Sequence, residues 1–337
     1  MKLFITNKPS FYKNELFNRI NLKEKIIVVF TCRNPFKSNR NADFIAGKKD
    51  FEYYSLDSDG SVVSRVFRML RIIRKHSFRE VVFSGWDEKE QIACMFLVPR
   101  KLNALICESS VFESKTTGLT GIIKRLILSR VSKVYCPGQA NKELLEKLHF
   151  DRPIIQTGGC GLLHYVEQPP FEPRTKVKNF LYVGRLIPVK NLRLLVEAFN
   201  GMPDLNLTII GEGCQADELK TIAHQNIKFL GYVNNEELPN YYRAHDVFIL
   251  PSQSETWGLV VEEALNNGLP VILSDRVGCN LDFLSHGVGF SFSSSSILSL
   301  KEKIDRMLVI NTYNHLRYNV SKMDFNLRTN AQVNSFL

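Results

Sequence analysis

Short apolar runs alternate with amphipathic stretches along nearly the whole chain. In the first half, strand-like runs lie at 3–6, 25–30, 80–83, 104–107, 133–136 and 153–156, with helical periodicity at 61–76, 88–98, 118–130 and 139–148. In the second half, strand-like runs lie at 179–183, 206–210, 227–230, 247–250, 270–273 and 289–292, with helical periodicity at about 190–200, 214–224, 235–244, 258–267 and 296–308. This alternation predicts parallel sheets joined by right-handed helical crossovers.

The two series are separated by a glycine- and proline-rich stretch at 157–175, which predicts a domain boundary. We therefore expect an α/β protein with two tandem doubly wound Rossmann-like domains that face a cleft. The expected domains are 1–165 and 166–320, with a C-terminal segment 321–337 that packs back on the first domain. Ligands of such sheets bind where strands run into helix N-termini.

Composition indicates the cellular compartment and shows that charge is distributed unevenly between the two halves of the chain. The apolar fraction of 44% and the charged fraction of 23% are typical of a globular protein, and the seven cysteines lack metal-ligand or disulfide spacing. With no signal-peptide pattern in the sequence, we expect a cytoplasmic protein. Residues 1–165 hold 28 Lys and Arg against 16 Asp and Glu, whereas the remainder holds 16 against 18. A basic first half favours nucleic acid or an anionic membrane as partner, and simple solubility explains it equally.

The first candidate ligand loop follows the run 179–183. Gly184 ends that strand and allows the backbone to approach a ligand. Arg185 and Lys190 then place two cations beside it, which suits a diphosphate. Asn191 is predicted to cap the next helix. Two solvated cations in an ordinary loop is the alternative interpretation.

A second glycine loop, Gly211-Glu-Gly213-Cys-Gln-Ala216, opens the next helix. It resembles a dinucleotide fingerprint, which needs an acidic residue at the end of the following strand to bind the ribose. That position reads Phe229-Leu-Gly231-Tyr232. A nicotinamide site is therefore disfavoured, whereas a loop close to a nucleotide remains reasonable.

The most informative stretch is Glu255-Thr-Trp-Gly-Leu-Val-Val-Glu-Glu263. A helix opens near Gly258, so the amides of Gly258, Leu259 and Val260 are predicted to point towards an anion. Glu255 lies in the loop before the helix, and Glu263 lies one and a half turns into it. A carboxylate there accepts two hydrogen bonds from a sugar diol. A capping Glu255 and a solvated Glu263 are the alternative.

These motifs, followed by Gly268-Leu-Pro-Val-Ile272, occur in an order and spacing that resembles the retaining family 4 glycosyltransferases of the two-domain GT-B type. The resemblance extends in particular to bacterial O-antigen and capsule polysaccharide enzymes. It covers residues 179–285 closely and the first half loosely. It implies a C-terminal domain that binds a nucleotide sugar and an N-terminal domain that binds the acceptor.

The resemblance also implies roles for particular residues. Arg185 and Lys190, with the amides near Leu259 and Val260, would bind the donor diphosphate. Glu263 would bind the ribose hydroxyls and Glu255 the hydroxyls of the transferred sugar. Tyr232 and Val233 would border the base. Some family members carry a histidine after an N-terminal strand; this chain has Glu108 there, which either acts in catalysis or begins a loop.

Neither a metal nor another cofactor is expected. Asp57-Ser-Asp59-Gly60 resembles the metal-binding Asp-x-Asp of other glycosyltransferases, but Asp and Gly are also ordinary turn residues before a helix. Two basic amphipathic stretches, around Arg65–Lys75 and Lys124–Lys133, are interpreted either as core-facing helices with a solvated face or as elements that dock on anionic headgroups.

The resulting hypothesis is a hexosyl- or N-acetylhexosaminyltransferase of O-antigen or lipopolysaccharide biosynthesis. It moves a sugar from a nucleoside diphosphate, UDP in preference to GDP, to a saccharide hydroxyl with retention. Its acceptor is a saccharide or polyprenyl-diphosphate-linked glycan, and it works at the inner face of the cytoplasmic membrane. An epimerase of the same architecture and a non-catalytic membrane- or nucleic-acid-binding protein are the alternatives. No nucleic-acid recognition motif is present, so nucleic acid is not expected.

Overall fold

The computed structural model describes residues 1–31, 47–56, 61–161 and 166–337. The chain divides into two compact units, and the first contains residues from both ends of the sequence. Unit 1 comprises Met1–His164 and Leu327–Leu337, and unit 2 comprises Tyr165–Asn326.

Each unit is built on a parallel sheet. The strands of the first sheet are β1 (Lys2–Thr6), β2 (Ile26–Phe30), β3 (Glu52–Ser55), β4 (Glu80–Phe83), β5 (Asn103–Ile106), β6 (Lys133–Cys136) and β7 (Ile154–Gln156). The strands of the second sheet are β8 (Asn179–Val183), β9 (Asn206–Ile210), β10 (Ile227–Gly231), β11 (Val247–Leu250), β12 (Val271–Ser274) and β13 (Gly289–Phe292).

Helices follow most of these strands. In the first series they are α1 (Phe11–Lys23), α2 (Val62–Lys75), α3 (Lys89–Leu97), α4 (Gly118–Leu128) and α5 (Gln139–Lys147). In the second series they are α6 (Leu192–Asn200), α7 (Ala216–Ile222), α8 (Leu238–Ala244), α9 (Leu259–Asn266), α10 (Asn280–Leu284), α11 (Ile297–Leu308), α12 (Ile310–Ser321) and α13 (Phe325–Ser335). None of the helices in these described ranges is both long and apolar enough to cross a bilayer.

Both sheets have doubly wound strand order. The first runs β3-β2-β1-β4-β5-β6-β7 and the second β10-β9-β8-β11-β12-β13. The order reverses beside β1 in one sheet and beside β8 in the other, and loops diverge at such a reversal to leave a crevice at the carboxyl edge. The prediction of two doubly wound α/β domains is confirmed.

Alternating side chains of β1 explain how the first sheet is buried on both faces. Leu3 and Ile5 pack with α2, α3, α4 and α5, whereas Phe4 packs with α1 and with Phe336. Apolar strands of this kind occur where helices cover a parallel sheet on both sides. The continuous apolar runs in the sequence are therefore central strands.

The elements that the sequence pattern missed lack a clear apolar signal. The edge strand β3 is largely exposed, and α1 has only weak amphipathic periodicity because polar residues are spread around it. Helices α10, α12 and α13 were also not predicted. Their positions depend on contacts with the rest of the fold more than on local pattern.

A buried charged group stabilises the face of the first sheet that α13 covers. The ammonium of Lys2 lies 2.8 Å from Glu80 Oε2, both side chains are nearly inaccessible, and the hydroxyl of Tyr135 lies 3.2 Å from each oxygen of Glu80. Lys2 also donates a hydrogen bond to the carbonyl of Phe336. Burial lowers the pKa of Lys2, and the Glu80 carboxylate opposes that shift. Removal of one partner would leave an uncompensated buried charge.

Residues 327–337 belong to unit 1 through aromatic packing. The ring of Phe336 stacks on Tyr135 with centroids 4.7 Å apart and meets the edge of Phe4 at 5.9 Å.

Replacing Phe336 with Ala should destabilise unit 1 by about 3–5 kcal/mol, because the vacated space is enclosed. Leu337→Ala is the control, since Leu337 is 39% exposed. Hydrogen exchange of β1 and β6 amides measures the effect, and unchanged protection in Phe336→Ala would contradict it.

Candidate functional site

The candidate site lies at the reversal of strand order in unit 2. Strands β8 and β11 are neighbours there, and they carry the two loops that hold Lys190 and Glu255. Because both strands are parallel, their carboxyl ends lie at the same edge of the sheet. The topology therefore brings together two residues that are 65 positions apart in sequence.

The ammonium of Lys190 and the carboxylate of Glu255 form a direct ion pair. Lys190 ends a single 3-10 turn, Pro188–Lys190, after β8. The two side chains are 12% and 18% exposed, so the pair is largely shielded but open to small ligands. Arg185, by contrast, is exposed. The structure thus brings Lys190 and Glu255 together and leaves Arg185 beside them as a solvated cation.

Asn191 does not cap the following helix, and that prediction is wrong. It adopts a left-handed conformation with φ of 57°, and its side chain makes no capping hydrogen bond. The side-chain nitrogen Nδ2 of Asn191 instead donates hydrogen bonds to the carbonyls of Pro251 at 3.2 Å and Ser294 at 2.9 Å. One side chain thereby joins the loops that follow β8, β11 and β13, which fixes the position of its neighbour Lys190.

The glycines in these loops have a packing explanation. A Cβ atom on Gly211 would lie 2.0 Å from the carbonyl oxygen of Gly184, and one on Gly213 would lie 2.2 Å from that of Leu186. Gly211 also has a φ of 131°, which L side chains rarely adopt. Glycine at both positions lets the loops after β8 and β9 pack backbone to backbone.

The loop that carries Glu255 is held as a short extension of the sheet. The amide of Glu255 donates to the carbonyl of Arg276 at 3.1 Å, and its own carbonyl accepts from Gly278 at 2.8 Å. Any side chain on Gly278 would collide with the Thr256 carbonyl, because its Cβ would lie 2.0 Å away. The carboxylate of Glu255 is therefore presented from a well-fixed backbone.

Helix α9 begins directly after this loop. Gly258 stands at its N-cap with a φ of 105°, and Leu259 and Val260 are its first two residues, both partly accessible. The first amides of a helix lack carbonyl partners within it and carry partial positive charge. Trp257 is buried and donates its indole N–H to Glu262, which anchors the loop to the helix.

Glu263 occupies an unusual environment for a carboxylate. Its Oε2 accepts a hydrogen bond of 2.8 Å from the hydroxyl of the buried Tyr242 on α8. Burial raises the pKa of Glu263 to about 7, although the hydrogen bond from Tyr242 acts in the opposite direction. Burial and the Glu263 carboxylate raise the pKa of Tyr242 in turn. Glu263 is therefore poised to change charge near neutral pH.

The remaining predicted residues lie in separate places. Tyr232 and Val233 follow β10, and Tyr232 is 47% exposed. Glu108 belongs to unit 1, where it follows β5 and pairs with Lys13 at 2.8 Å. Burial lowers the pKa of Lys13, but the Glu108 carboxylate raises it by more, so the pKa of Lys13 lies above its usual range. The sequence Asp57-Ser-Asp59-Gly60 lies outside the described residues.

Sequence reasoning missed Lys13, Tyr242 and the joining role of Asn191. Lys13 and Tyr242 lie on helices whose local sequence has no ligand motif, and each is recognised only by its partner in space. The left-handed Asn191 had one usable signal, since Asn tolerates that conformation better than most residues. An asparagine directly after a 3-10 turn can therefore hold neighbouring loops together as readily as it can cap a helix.

Comparison with known proteins bears on this arrangement. Residues 166–323, slightly less than half of the chain, match the family described as glycosyl transferases group 1. The O-antigen biosynthesis glycosyltransferase WbnH of Escherichia coli is 30% identical over 165 residues, which are 47% of this chain and 46% of that protein. Alignments with the first curated relatives span between 26% and 48% of their length, so the chain covers less than half of each.

Two solved structures resemble the whole chain in fold. The apo form of the lipopolysaccharide outer core galactosyltransferase WaaB is 16% identical with a TM-score of 0.74, over 100% of this chain and 99% of that one. Anabaena Alr3699/HepE in complex with UDP-glucose is 13% identical with a TM-score of 0.69, also over 100% and 99%. At these identities the likeness concerns the fold.

The raised pKa of Glu263 predicts a pH-dependent effect of Glu263→Gln on stability. The carboxyl ionises near pH 4.5 in the unfolded chain and near 7 in the folded one. The free energy of unfolding of the wild-type protein therefore decreases as pH rises from 4.5 to 7, because the folded state resists ionisation. A glutamine still accepts the Tyr242 hydrogen bond but never ionises. It should be neutral near pH 4.5 and stabilise by up to about 3 kcal/mol above pH 7. Urea unfolding at pH 4.5, 6 and 8 measures this, with the exposed Glu236→Gln as control. Equal gains at all three pH values would contradict it.

Proposed function

We propose that this chain, whose residues 166–323 belong to the glycosyl transferases group 1 family, transfers a sugar from a nucleoside diphosphate to a saccharide hydroxyl. The observation that carries the proposal is the Lys190–Glu255 pair at the reversal of strand order, directly before the N-terminus of α9. It combines a cation for phosphate with an acceptor for sugar hydroxyls in one small region. A hexosyl- or N-acetylhexosaminyltransferase needs both.

The donor diphosphate would exchange partners with Glu255. Lys190 is already paired, so a bound diphosphate attracts the ammonium and releases the carboxylate to accept hydrogen bonds from the transferred sugar. Arg185 adds a second cation, and Gly184 leaves room for the phosphate at the end of β8. The amides of Leu259 and Val260, the first two residues of α9, would add further donors.

Departure of the diphosphate builds negative charge, which these groups stabilise without a metal ion. The bond between the anomeric carbon and the diphosphate oxygen breaks, and a bond to the acceptor oxygen forms on the same face. The acceptor proton leaves towards the departing diphosphate. Retention by this route requires no carboxylate as covalent nucleophile. The proposed reaction therefore needs no cofactor besides its nucleotide-sugar substrate.

UDP is the favoured nucleotide. The structural relative HepE was solved with UDP-glucose, although the two chains share little sequence. Glu263 on α9 would accept hydrogen bonds from the two ribose hydroxyls, and Gly211, Tyr232 and Val233 would border the remainder of the nucleotide. Glu108 in unit 1, paired with Lys13, would act on the acceptor side.

The acceptor we propose is a glycan carried on a polyprenyl diphosphate in surface polysaccharide biosynthesis. The similarity to WbnH, an O-antigen biosynthesis glycosyltransferase, and to WaaB, a lipopolysaccharide outer core galactosyltransferase, supports that setting. Such an acceptor lies at the inner face of the cytoplasmic membrane, so the enzyme would work as a cytoplasmic protein bound peripherally to that face. Nucleic acid has no part in this function.

The direct test is a panel of UDP- and GDP-sugars with the purified protein, with and without a saccharide acceptor and in the presence of EDTA. We expect slow release of UDP from one UDP-sugar, faster release with acceptor, and a new glycosidic product. Conversion of the donor to an isomer without glycosidic product would favour an epimerase. Loss of turnover in EDTA would contradict the metal-independent mechanism.

Glu255→Ala and Glu263→Ala should affect different kinetic constants. Without Glu263 the ribose loses its acceptor, so donor affinity should fall about 10- to 100-fold, as expected for loss of hydrogen bonds to a charged group. Without Glu255, Lys190 is left unpaired and still attracts diphosphate, so UDP affinity should be kept while kcat falls about 100-fold or more. Titration calorimetry with UDP and initial rates separate the two. Glu236→Ala is the matched control on the surface of unit 2. Normal turnover in both variants would refute the site.

A further inference from the structure

Helix α8 presents one buried hydroxyl to the candidate nucleotide site. Tyr242 is 1% exposed, and its hydroxyl donates a hydrogen bond of 2.8 Å to Oε2 of Glu263 on α9. Glu263 is itself partly accessible. Because the side chain of Tyr242 is buried, it can act on a ligand only through this carboxylate.

Three further contacts fix Tyr242 relative to Glu263. The ring of Tyr242 packs on Phe248 of β11, with centroids 6.0 Å apart. One residue further along α8, Nε of Arg243 donates to Oδ1 of Asn267 at 3.1 Å. The side chain of Asn267 in turn donates to the carbonyl of Glu263 at 2.9 Å. Helix α8 is thus bonded to the side chain of Glu263 and, through Asn267, to its backbone.

The hydrogen bond from Tyr242 orients the carboxylate and leaves most of its acceptor capacity open. The terminal torsion of a glutamate is broad when nothing holds it, so one bonded oxygen fixes the plane of the group. A carboxylate has about four acceptor positions on its two oxygens. Tyr242 fills one of them, and Oε1 of Glu263 accepts no hydrogen bond from the residues that the structure describes. Enough positions remain for two hydroxyls of a ribose.

Within the described ranges, Tyr242 is the titratable side chain that faces Glu263 from the elements packed on α9. Strands β11 and β12 contain no ionisable residue. Arg243 is exposed and donates to an asparagine side chain and a backbone carbonyl. The neighbouring Glu262 accepts from the indole of Trp257. Burial therefore raises the pKa of Glu263 to about 7, and the hydrogen bond from Tyr242 limits that rise.

From this geometry we propose that Tyr242 is a positioning residue for the nucleotide: its hydroxyl holds the Glu263 carboxylate in the orientation that accepts both ribose hydroxyls. The inference rests on the proposed function, which assigns the ribose to Glu263. A hydrogen bond to a carboxylate favours its charged form, and the ribose adds two more. The nucleotide therefore selects the ionised carboxylate, and its affinity for the wild type rises as pH rises through about 7.

Tyr242→Phe keeps the ring and removes the hydrogen bond, so it should weaken nucleotide binding most at low pH. Without the hydroxyl the pKa of Glu263 rises further, and less of the carboxylate is ionised. For a rise of about one pKa unit, we expect UDP affinity to fall about 10- to 20-fold at pH 6. At pH 9 the carboxylate is ionised with or without Tyr242, and the lost orientation alone costs about twofold. Titration calorimetry at pH 6, 7.5 and 9 measures this, because the ratio of wild type to variant cancels the ionisation of UDP.

The matched control for the protein is Tyr313→Phe. Tyr313 is also 1% exposed, and its hydroxyl donates to the carbonyl of Asp246 at 3.0 Å, just before β11 and away from Glu263. This variant loses an equivalent buried hydrogen bond of unit 2 and should bind UDP as the wild type does at all three pH values. Circular dichroism verifies that both variants fold.

The matched control for the ligand is 2′,3′-dideoxy-UDP, which lacks the hydroxyls that Glu263 would accept. Its affinity should differ by about twofold or less between the wild type and Tyr242→Phe, because the two changes remove the same interaction. Comparison of the two nucleotides therefore isolates the contact through which Tyr242 acts.

Several outcomes would overturn the positioning role while the proposed function stands, because in each of them the wild type binds UDP. They are an unchanged UDP affinity in Tyr242→Phe, an equal loss at all three pH values, an equal loss for both nucleotides, and an equal loss in Tyr313→Phe. Absence of UDP binding by the wild type would instead refute the proposed donor, and this inference with it.

Discussion

The pairing of β8 with both β9 and β11 is the constraint on which the candidate site depends. Chain connections leave the sheet in opposite directions on either side of β8, so the loops after β8 and β11 separate while their strands remain hydrogen-bonded. The gap that results is where Lys190 meets Glu255. Glycines after β8 and β9 close one side of this gap by backbone contact, and Asn191 ties three of its loops together. The strand order therefore determines where the candidate site lies, and the side chains of Lys190 and Glu255 determine what it can bind.

Much of this could be predicted from the sequence because buried parallel strands are marked by their own composition. The central strands and the order of domains follow from apolar runs of regular spacing, and the glutamates and Lys190 could be named from motif positions. The edge strand β3 and helix α1 could not, since an exposed strand and a weakly amphipathic helix have no strong local signal. Contacts between residues that are distant in sequence were the larger part of what could not be predicted. Tyr242 and Glu263 belong to different helices, so neither their hydrogen bond nor the burial that raises the pKa of Glu263 to about 7 has a signal in the local sequence.

Helix α4 shows a different limit. Periodicity of apolar residues identifies a face of a helix but not what covers it. In α4 the apolar stripe from Leu119 to Leu126 is exposed. The residues that enter the core, Ile127 and Leu128, lie beyond that stripe, and the close approach of Gly121 to Thr116 sets the rotation of the helix. One backbone contact thus decides which side of an amphipathic sequence meets solvent. The same sequence with a larger residue at 121 could not lie in this orientation.

The contact between Lys2 and the carbonyl of Phe336 has a consequence for the order in which the protein is made. Residues 327–337 leave the ribosome after all of unit 2, yet they supply the partner of a lysine in the first strand and the ring that stacks on Tyr135. Unit 2 is continuous in sequence and is complete while unit 1 still waits for its closing segment. During synthesis, α1 can pack on this face of the first sheet, but Lys2 and Tyr135 lack their contacts with Phe336 until the whole of unit 2 has been made.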